Sequence, residues 1–205
     1  EYDVAGAATG VVEADRMLGA EKVRAGDVLV ALGASGLHSN GYSLVRHVLL
    51  QQAGWRLDRD VPELGRTLGE ELLEPTRIYA RDCLALIAEA DVRTFAHITG
   101  GGLAENLARV IPNRLVAELE RNTWTPAPIF ALIGQRGRVE QLEMERTFNM
   151  GVGMVAVVAP EDTDRAQAVL TARHVDNWVL GTVKRASDRS DNDSRVTLLG
   201  EHPRF

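Results

Sequence analysis

The stretch "DVLVALGASGLHSNGYSLVR", from Asp27 to Arg46, joins a short apolar run to a loop of small polar residues and then to a helical pattern. The run Asp27–Gly33 ends in glycine and is typical of a buried strand. Beyond the loop, apolar residues return at helical spacing as far as Gly54. The stretch therefore predicts a buried strand that leads through an unusually polar loop into a helix.

The rest of the chain alternates between strand and helix patterns. Strands are predicted at residues 2–12, 27–33, 92–100, 114–120, 151–159, 177–186 and 195–200. Helices are predicted at residues 44–54, 75–90, 101–112, 126–135, 139–145 and 160–172. Residues 55–69 have an irregular pattern, and the polar stretch 187–194 predicts a mobile hairpin loop between the last two strands. Because the alternation is not strictly βαβ, it favours a mixed sheet covered by helices in an α+β fold.

Composition places the chain among ordinary globular proteins and narrows its partners. The 205 residues include 45% hydrophobic and 25% charged residues, with a formal net charge of -6. No block of basic residues is present, so nucleic acid is not expected as a partner. The acidic balance mainly predicts solubility.

Cysteine usage and hydropathy bear on the compartment. Cys83 is the single cysteine, so neither a disulfide within the chain nor a metal site built on paired cysteines is possible. A reducing cytoplasm fits this usage best. No apolar run approaches the roughly 20 residues of a membrane span, so no membrane partner is expected.

The loop after the first apolar run is the first candidate for chemistry. Its candidate residues are Ser35, Gly36, His38, Ser39, Asn40 and Gly41. Glycines let a backbone approach a phosphate, and a helix start attracts anions through its free N–H groups. Ser39 or Asn40 is predicted to cap the helix, and His38 to contact a phosphate or move a proton. A glycine-rich turn with a solvent-facing histidine stays open as the alternative, because the spacing matches neither the Walker motif nor the dinucleotide fingerprint.

A second glycine-rich loop lies in "HITGGGLAEN", residues 97–106, where a strand again gives way to a helix. One tight turn needs a single glycine, so Gly100, Gly101 and Gly102 together suggest that a ligand or another backbone lies against them. Close packing of the helix on the sheet is the alternative.

The third candidate loop is "RTFNMGVGM", residues 146–154. Thr147 and Asn149 are small polar groups beside Gly151 and Gly153, at the start of a strand pattern. Glycine in a strand often marks a bulge or a close approach, and a bulged strand start is the favoured interpretation of this loop taken alone.

Taken together and in order, these loops and the segment "PTRIY" (residues 75–79) resemble the second half of phosphoribosylformylglycinamidine cyclo-ligase, also called aminoimidazole ribonucleotide synthetase. The resemblance extends from Glu1 to about Ser187. It implies that residues 1–205 form a single C-terminal domain with a partly ferredoxin-like mixed sheet. It also implies that an N-terminal, ATP-handling domain is absent from this sequence.

The resemblance also implies an activity. The family converts formylglycinamidine ribonucleotide and ATP to aminoimidazole ribonucleotide, ADP and phosphate. ATP and Mg²⁺ would be held chiefly by the N-terminal domain, which also forms the homodimer. We therefore expect the isolated chain to be inactive and monomeric and to hold no cofactor or metal, with a ribonucleotide as its small-molecule partner.

Site roles follow from the resemblance position by position. His38 is expected to be the catalytic group, handling a proton or orienting the substrate. The expected substrate-binding residues are Ser35, Gly36, Ser39, Asn40, Gly41, Gly100, Gly101, Gly102, Thr147, Asn149 and Gly151. Thr76 and Arg77 are interpreted as support for the site wall, or else as a helix cap and a surface ion pair. Two other functions stay open: a non-catalytic phosphate- or nucleotide-binding module, and a related ATP-using synthetase or kinase.

Overall fold

A computed structural model describes residues 5–186 and 195–203 of the chain. Its strands are β1 Val28–Gly33, β2 Asp60–Val61, β3 Arg66–Thr67, β4 Val92–His97, β5 Leu115–Glu120, β6 Val152–Val158, β7 Asn177–Arg185 and β8 Val196–Leu199. Its α-helices are α1 Tyr42–Val45, α2 Leu68–Leu72, α3 Ala80–Glu89, α4 Gly102–Ala108, α5 Pro128–Gly137, α6 Gln141–Thr147 and α7 Thr163–Ala172. A π-helical segment, Arg46–Gln52, continues α1 directly.

Six of these strands form one sheet in the order β4-β6-β1-β7-β5-β8. Neighbouring strands are antiparallel, except that β5 and β8 run parallel. Strands β6 and β7 are linked through α7 and enclose β1 between them, which is the split βαβ arrangement of ferredoxin-like folds. The sheet is mixed and flanked by helices, which confirms the predicted α+β class.

Helices cover both faces of this sheet. Leu29 and Ala31 of β1 pack in the cluster that contains α4, whereas Val30 and Leu32 pack in the cluster that contains α3 and α7. Burial on both faces explains why β1 reads as a continuous apolar run. A third cluster contains residues of α5 and of the π-helical segment. It also contains Leu37, Phe148 and Met150, and so packs against the first and third glycine-rich loops.

Two strand predictions at the ends of the chain need correction. Residues 5–12 of the predicted first strand form no strand, and Val11 is 99% exposed, because no other strand pairs with this segment. The hairpin predicted between the last two strands is wrong, because β8 pairs with β5 and not with β7. Residues 187–194, the predicted hairpin loop, lie outside the described residues.

Two other segments differ from their predicted patterns. The helix expected from residue 75 begins at Ala80, so Pro75 and Thr76 lie in the preceding connection. The stretch 55–69 contains the small β2–β3 hairpin. None of the helices within residues 5–186 and 195–203 is both long and apolar enough to cross a membrane.

Candidate functional site

The three candidate loops meet at one end of the sheet, because β1 and β4 end there and the antiparallel β6 begins there. Asn149 joins the third loop to the first. Its side-chain amide donates to the carbonyl oxygen of Gly36 over 2.9 Å, and its Oδ1 accepts the backbone N–H of Gly151 over 2.7 Å. With only 1% of its surface exposed, Asn149 braces the loops from beneath.

The first loop adopts a tight left-handed course. His38 and Ser39 have φ values of 52° and 59°, and Gly41 has a φ of 71°. A Cβ on Gly41 would overlap the ring of Phe148, so glycine is required there both for conformation and for space. The predicted cap is wrong: Gly41 is the N-cap of α1, without a side-chain cap, because the Asn40 amide donates instead to the carbonyl of His38.

His38 is buried beneath this loop, with 4% of its surface exposed. Its Nε2 accepts the backbone N–H of Ser35 over 2.9 Å, which assigns the ring proton to Nδ1, a buried atom without a partner among the described residues. Burial lowers the pKa of His38, and the nearby His97 and Arg77 lower it further. His38 is therefore a neutral, enclosed imidazole, and the alternative of a solvent-facing histidine is wrong.

Tyr79 and Gly153 complete the surroundings of His38. The Tyr79 hydroxyl donates to the carbonyl of Gly33 over 2.8 Å, at the point where β1 passes into the loop. A Cβ on Gly153 would overlap the Tyr79 hydroxyl and lie 2.9 Å from Cε1 of His38. The two rings thus lie against a bare stretch of β6 backbone, which fixes how the loop leaves the sheet.

Segment 75–79 packs against the first loop, as expected for a wall of the site. Ser35 Oγ donates to the carbonyl of Pro75 over 2.7 Å, and Ser39 Oγ lies 3.5 Å from Thr76 Oγ1. Arg77 directs a guanidinium N–H to the carbonyl of His174 over 3.1 Å. Neither helix capping by Thr76 nor an ion pair of Arg77 is seen among the described residues.

Asn106 holds the second loop in shape. Its side-chain amide lies within 2.8–3.2 Å of the carbonyls of Thr99, Gly100 and Gly102. A Cβ on Gly102 would overlap the carbonyl of Glu145, so this glycine is explained by close approach to another backbone. Gly100 is exposed and has no such constraint: a Cβ there would meet only Asn40 Oδ1, at 3.8 Å.

The third loop contains both a brace and a strand irregularity. Gly151 has a φ of 96°, and the pairing of β1 with β6 shifts register where Gly33 faces Val152. The predicted bulged strand start is therefore present. Thr147 closes α6 and is half-buried, so it borders the loop cluster without being enclosed by it.

Burial divides the predicted site residues into two groups. The accessible or half-buried group consists of Ser35, Ser39, Asn40, Gly41, Gly100, Gly101, Thr147 and Gly151. The buried group consists of Gly36, His38, Gly102 and Asn149. In this conformation residues of the accessible or half-buried group can contact a ligand, whereas residues of the buried group can act only by holding the loops in place.

Two cavities border the loops. One, of about 450 Å³, lies between the second and third loops, where Gly101, Arg146 and Met150 line it together with the buried Arg121–Glu145 ion pair. The other is about 430 Å³ and adjoins the first loop. Its lining is Ser39, Tyr42, Arg46, Leu72, Leu73, Glu74, Pro75 and Thr76. Both volumes fall within the range of small-molecule sites.

Two residues that support the site, Tyr79 and Asn106, are not predicted from the sequence. Tyr79 belongs to the segment "PTRIY" and Asn106 to "HITGGGLAEN", but the sequence predicts no role for either residue. Nothing in the local pattern marks them, because their partners are backbone carbonyls distant in sequence or hidden in a turn. Within residues 5–186 and 195–203, no cluster of three or more His, Cys, Asp or Glu side chains could hold a metal ion.

Comparison with known families explains why these loops occur together. Residues 24–190 match the family described as AIR synthase related protein, C-terminal domain. The chain belongs to this family. The match spans β1 to β7 and thus all three loops.

Curated relatives fall in the same family. A Streptomyces fradiae protein provisionally named phosphoribosylformylglycinamidine cyclo-ligase is 59% identical over 180 residues, covering 88% of this chain and 99% of that protein. Proteins named phosphoribosylformylglycinamidine cyclo-ligase are 49% identical in Anaeromyxobacter dehalogenans and 45% identical in Caldicellulosiruptor bescii, over 90% and 92% of this chain. The chain spans about half the length of these two relatives, at 53% and 55%.

Solved structures show the same fold at low identity. Thiamine-monophosphate kinase from Stenotrophomonas maltophilia superposes with a TM-score of 0.61 at 17% identity, covering 94% of this chain and 56% of that one. The hydrogenase maturation protein HypE of E. coli superposes with a TM-score of 0.57 at 18% identity, covering 90% and 49%. At these identities the likeness shows the fold alone.

Proposed function

We propose that this chain is the substrate-side half of an ATP-dependent phosphoribosylformylglycinamidine cyclo-ligase of purine biosynthesis. The whole enzyme converts formylglycinamidine ribonucleotide and ATP to aminoimidazole ribonucleotide, ADP and phosphate. The observation that carries the proposal is the convergence of the three loops, braced by the Asn149–Gly36 hydrogen bond, in a chain whose relatives are named for this reaction. A cytoplasmic location and a homodimeric full-length enzyme belong to the same proposal.

The accessible loop atoms are the groups proposed to contact the ribonucleotide. Ser39 and Asn40 offer side-chain hydrogen-bonding groups, and Gly100 offers an exposed backbone that a phosphate or sugar can approach closely. Asn149 ties the first loop to the third, and the N–H of Ile98 in the second loop donates to the carbonyl of Gly153 in the third over 3.0 Å. Because of these two ties, the groups keep a fixed separation. Such fixed spacing favours a single substrate pose, which ring closure within one molecule requires.

His38 is proposed to orient the substrate through the loop it supports. Its Nε2 lone pair is already used by the Ser35 N–H, and burial disfavours its charged form. To accept a proton from an amidine nitrogen, His38 would first have to release Ser35. The contacts therefore support positioning as its role in this conformation, and proton transfer becomes the alternative that a pH profile can test.

ATP and Mg²⁺ are assigned to the other half of the enzyme. ATP, as second substrate, supplies the phosphoryl group that activates the formyl oxygen. Within residues 5–186 and 195–203 no three His, Cys, Asp or Glu side chains cluster so as to hold a metal ion, and we propose that Mg²⁺ is held by the other half. What this half contributes is binding and orientation of the ribonucleotide.

A chimera tests the activity directly. The part of the A. dehalogenans relative that precedes its matched half is fused to this chain, and aminoimidazole ribonucleotide is measured after adding formylglycinamidine ribonucleotide and ATP. The intact relative is the positive control, and the chain alone is expected to give no product. A folded chimera that binds the ribonucleotide without turnover would instead support a binding module. Turnover of only another ATP-dependent substrate would support a related synthetase or kinase.

The role of His38 is tested in the same chimera. If His38 positions the loop, His38→Gln keeps an acceptor for the Ser35 N–H and retains most of the activity, while His38→Ala raises KM. If His38 transfers a proton, both variants lose about 10²–10⁴-fold in kcat and one limb of the pH profile disappears.

A further inference from the structure

The end of the sheet opposite the candidate site contains a further cavity with a different lining. The cavity has a volume of about 520 Å³, and its walls are Arg24, Ala25, Arg114, Leu115, Arg185 and Ala186. Half of these residues are arginines, in a chain whose net charge is -6. We call Arg24, Arg114 and Arg185 the arginine pocket.

Sheet topology explains how three arginines distant in sequence meet. Strands β1, β7 and β5 are neighbours in the sheet, and Arg24 precedes β1, Arg185 ends β7 and Arg114 precedes β5. Because β7 runs antiparallel to both neighbours, all three positions fall at the same end of the sheet. The candidate site follows the other end of β1, about 20 Å away for a strand of six residues.

Backbone hydrogen bonds fix the walls of this pocket. The N–H of Ala186 donates to the carbonyl of Arg114 over 3.1 Å, and the N–H of Gly26 donates to the carbonyl of Val183 over 2.7 Å. Strand pairing places Arg185 opposite Leu115. The three side chains therefore leave a rigid frame, so a ligand would not have to order the backbone on binding.

The charges of the arginine pocket are uncompensated in the described part of the chain. None of its three arginines forms an ion pair with a residue in 5–186 or 195–203. The Asp27 carboxylate, which accepts the backbone N–H of Arg24, is also engaged by the Arg93 guanidinium. All three arginines are solvent-exposed, and an anion in the cavity would be attracted by each of the three charges.

We propose that the arginine pocket binds a phosphate chain of about three negative charges. Guanidinium groups bind phosphate oxygens in paired hydrogen bonds, which suits this ligand class better than a single carboxylate. Among the described residues, the lining offers only alanine and leucine besides the arginines and no aromatic ring to hold a base. Recognition therefore rests on the phosphates, which inorganic triphosphate and the triphosphate of a nucleotide share.

Calorimetric titration of the 205-residue chain with inorganic triphosphate tests this proposal. We expect saturable binding that weakens with added salt, and amide shifts at residues 24–26, 114–115 and 185–186. The variant R24Q/R114Q/R185Q should bind at least about tenfold more weakly, since each lost charge-assisted contact costs about threefold or more. The matched control R16Q/R81Q/R109Q removes the same charge from exposed positions elsewhere and should change binding by less than about twofold.

Two results would overturn the proposal: absence of saturable binding, or equal weakening by the pocket and control variants. Circular dichroism of both variants establishes that they are folded. A parallel titration with ATP separates the two sources of the phosphate chain. Equal affinity for ATP and triphosphate that is lost in the pocket variant supports recognition of the phosphates alone, whereas tighter ATP binding that is lost in the pocket variant supports a nucleotide.

Discussion

Asn149 is the single residue on which the geometry of the candidate site depends most. It is fully enclosed, and both ends of its side-chain amide are used, one on the first loop and one on its own loop. Replacement by alanine would leave the buried carbonyl of Gly36 and the half-buried N–H of Gly151 without partners. Each such group costs about 1–3 kcal/mol.

We therefore expect Asn149→Ala to lower the free energy of unfolding by about 2–4 kcal/mol, as measured by urea denaturation. Asn113→Ala, at an exposed loop position, is the control and should stay within about 0.5 kcal/mol of the parent. Equal stability of the two variants would show that Asn149 is not a brace.

Gly153 is the residue that lets His38 and Tyr79 lie against β6. A methyl group there would collide with the Tyr79 hydroxyl and approach His38 Cε1. We expect Gly153→Ala to destabilise the chain by about 1–3 kcal/mol through overpacking, and to shift the imidazole resonances of His38 in NMR spectra.

The control for this change is Gly134→Ala. Gly134 lies in α5, and its nearest heavy atom would be 3.8 Å from the new methyl group. Alanine is the better helix former, so this variant should be neutral or slightly stabilised. If Gly153→Ala is equally well tolerated, the tight packing of the two rings on β6 is wrong.

Residue chemistry of the site was only partly readable from the sequence. The glycine-rich loops were visible because clustered glycines and small polar residues have few other uses. That His38 is enclosed and uses Nε2 on Ser35 was not visible, because local spacing carries no information on burial. Tyr79 and Asn106 were missed for the same reason: each acts on backbone atoms that only the folded chain brings close.

At the scale of elements, α6 is tied to the segment after β5 by a buried ion pair. Arg121 binds Glu145 through two hydrogen bonds of 2.7 and 2.8 Å. Burial alone would raise the pKa of Glu145, but hydrogen bonds from Arg121 and Gln141 outweigh it and hold the pKa at about 2. The unfolded value is near 4.3, so the folded state prefers the carboxylate.

This shift predicts how stability depends on pH. Because the folded pKa is the lower one, the contribution of Glu145 is complete above about pH 5 and is lost as pH falls towards 2. The difference corresponds to about 3 kcal/mol. We expect Glu145→Gln to be less stable at pH 7 and to lose less stability than the parent between pH 5 and 2. Glu143→Gln, on the exposed side of the same helix, should follow the parent curve.

Elements were predictable where both faces of a strand are buried and unpredictable where pairing decides. β1 and β6 are continuous apolar runs, so their patterns located them closely. The place of β8 beside β5 follows from sheet topology, which no local pattern contains, and the sequence suggested a hairpin with β7 instead. Residues 5–12 have strand-like composition but no neighbour to pair with, and composition alone does not make a strand.

At the scale of the whole molecule, the two ends of one sheet present different chemistry. One end holds the hydrogen-bonding loops that are joined by the buried Asn149 side chain, and the other end holds the arginine pocket. Because the two ends of the sheet are far apart, ligand binding at each end can be followed separately in one spectrum of the backbone amides. This separation gives the proposed function a test that needs no other half of the enzyme.

We expect formylglycinamidine ribonucleotide, added to the 205-residue chain, to shift backbone amides of residues 35–41, 100–102 and 147–151. The physical reason is that the first and third loops are already joined through Asn149, so we expect a half-site to exist before any other domain closes over it. ATP should leave these amides nearly unchanged. The Asn149→Ala variant, whose loops are no longer joined, should show weaker and more scattered shifts with the ribonucleotide. Shifts of the same loops by ATP alone would move the nucleotide to this half of the enzyme, and no response to the ribonucleotide would contradict a preformed half-site.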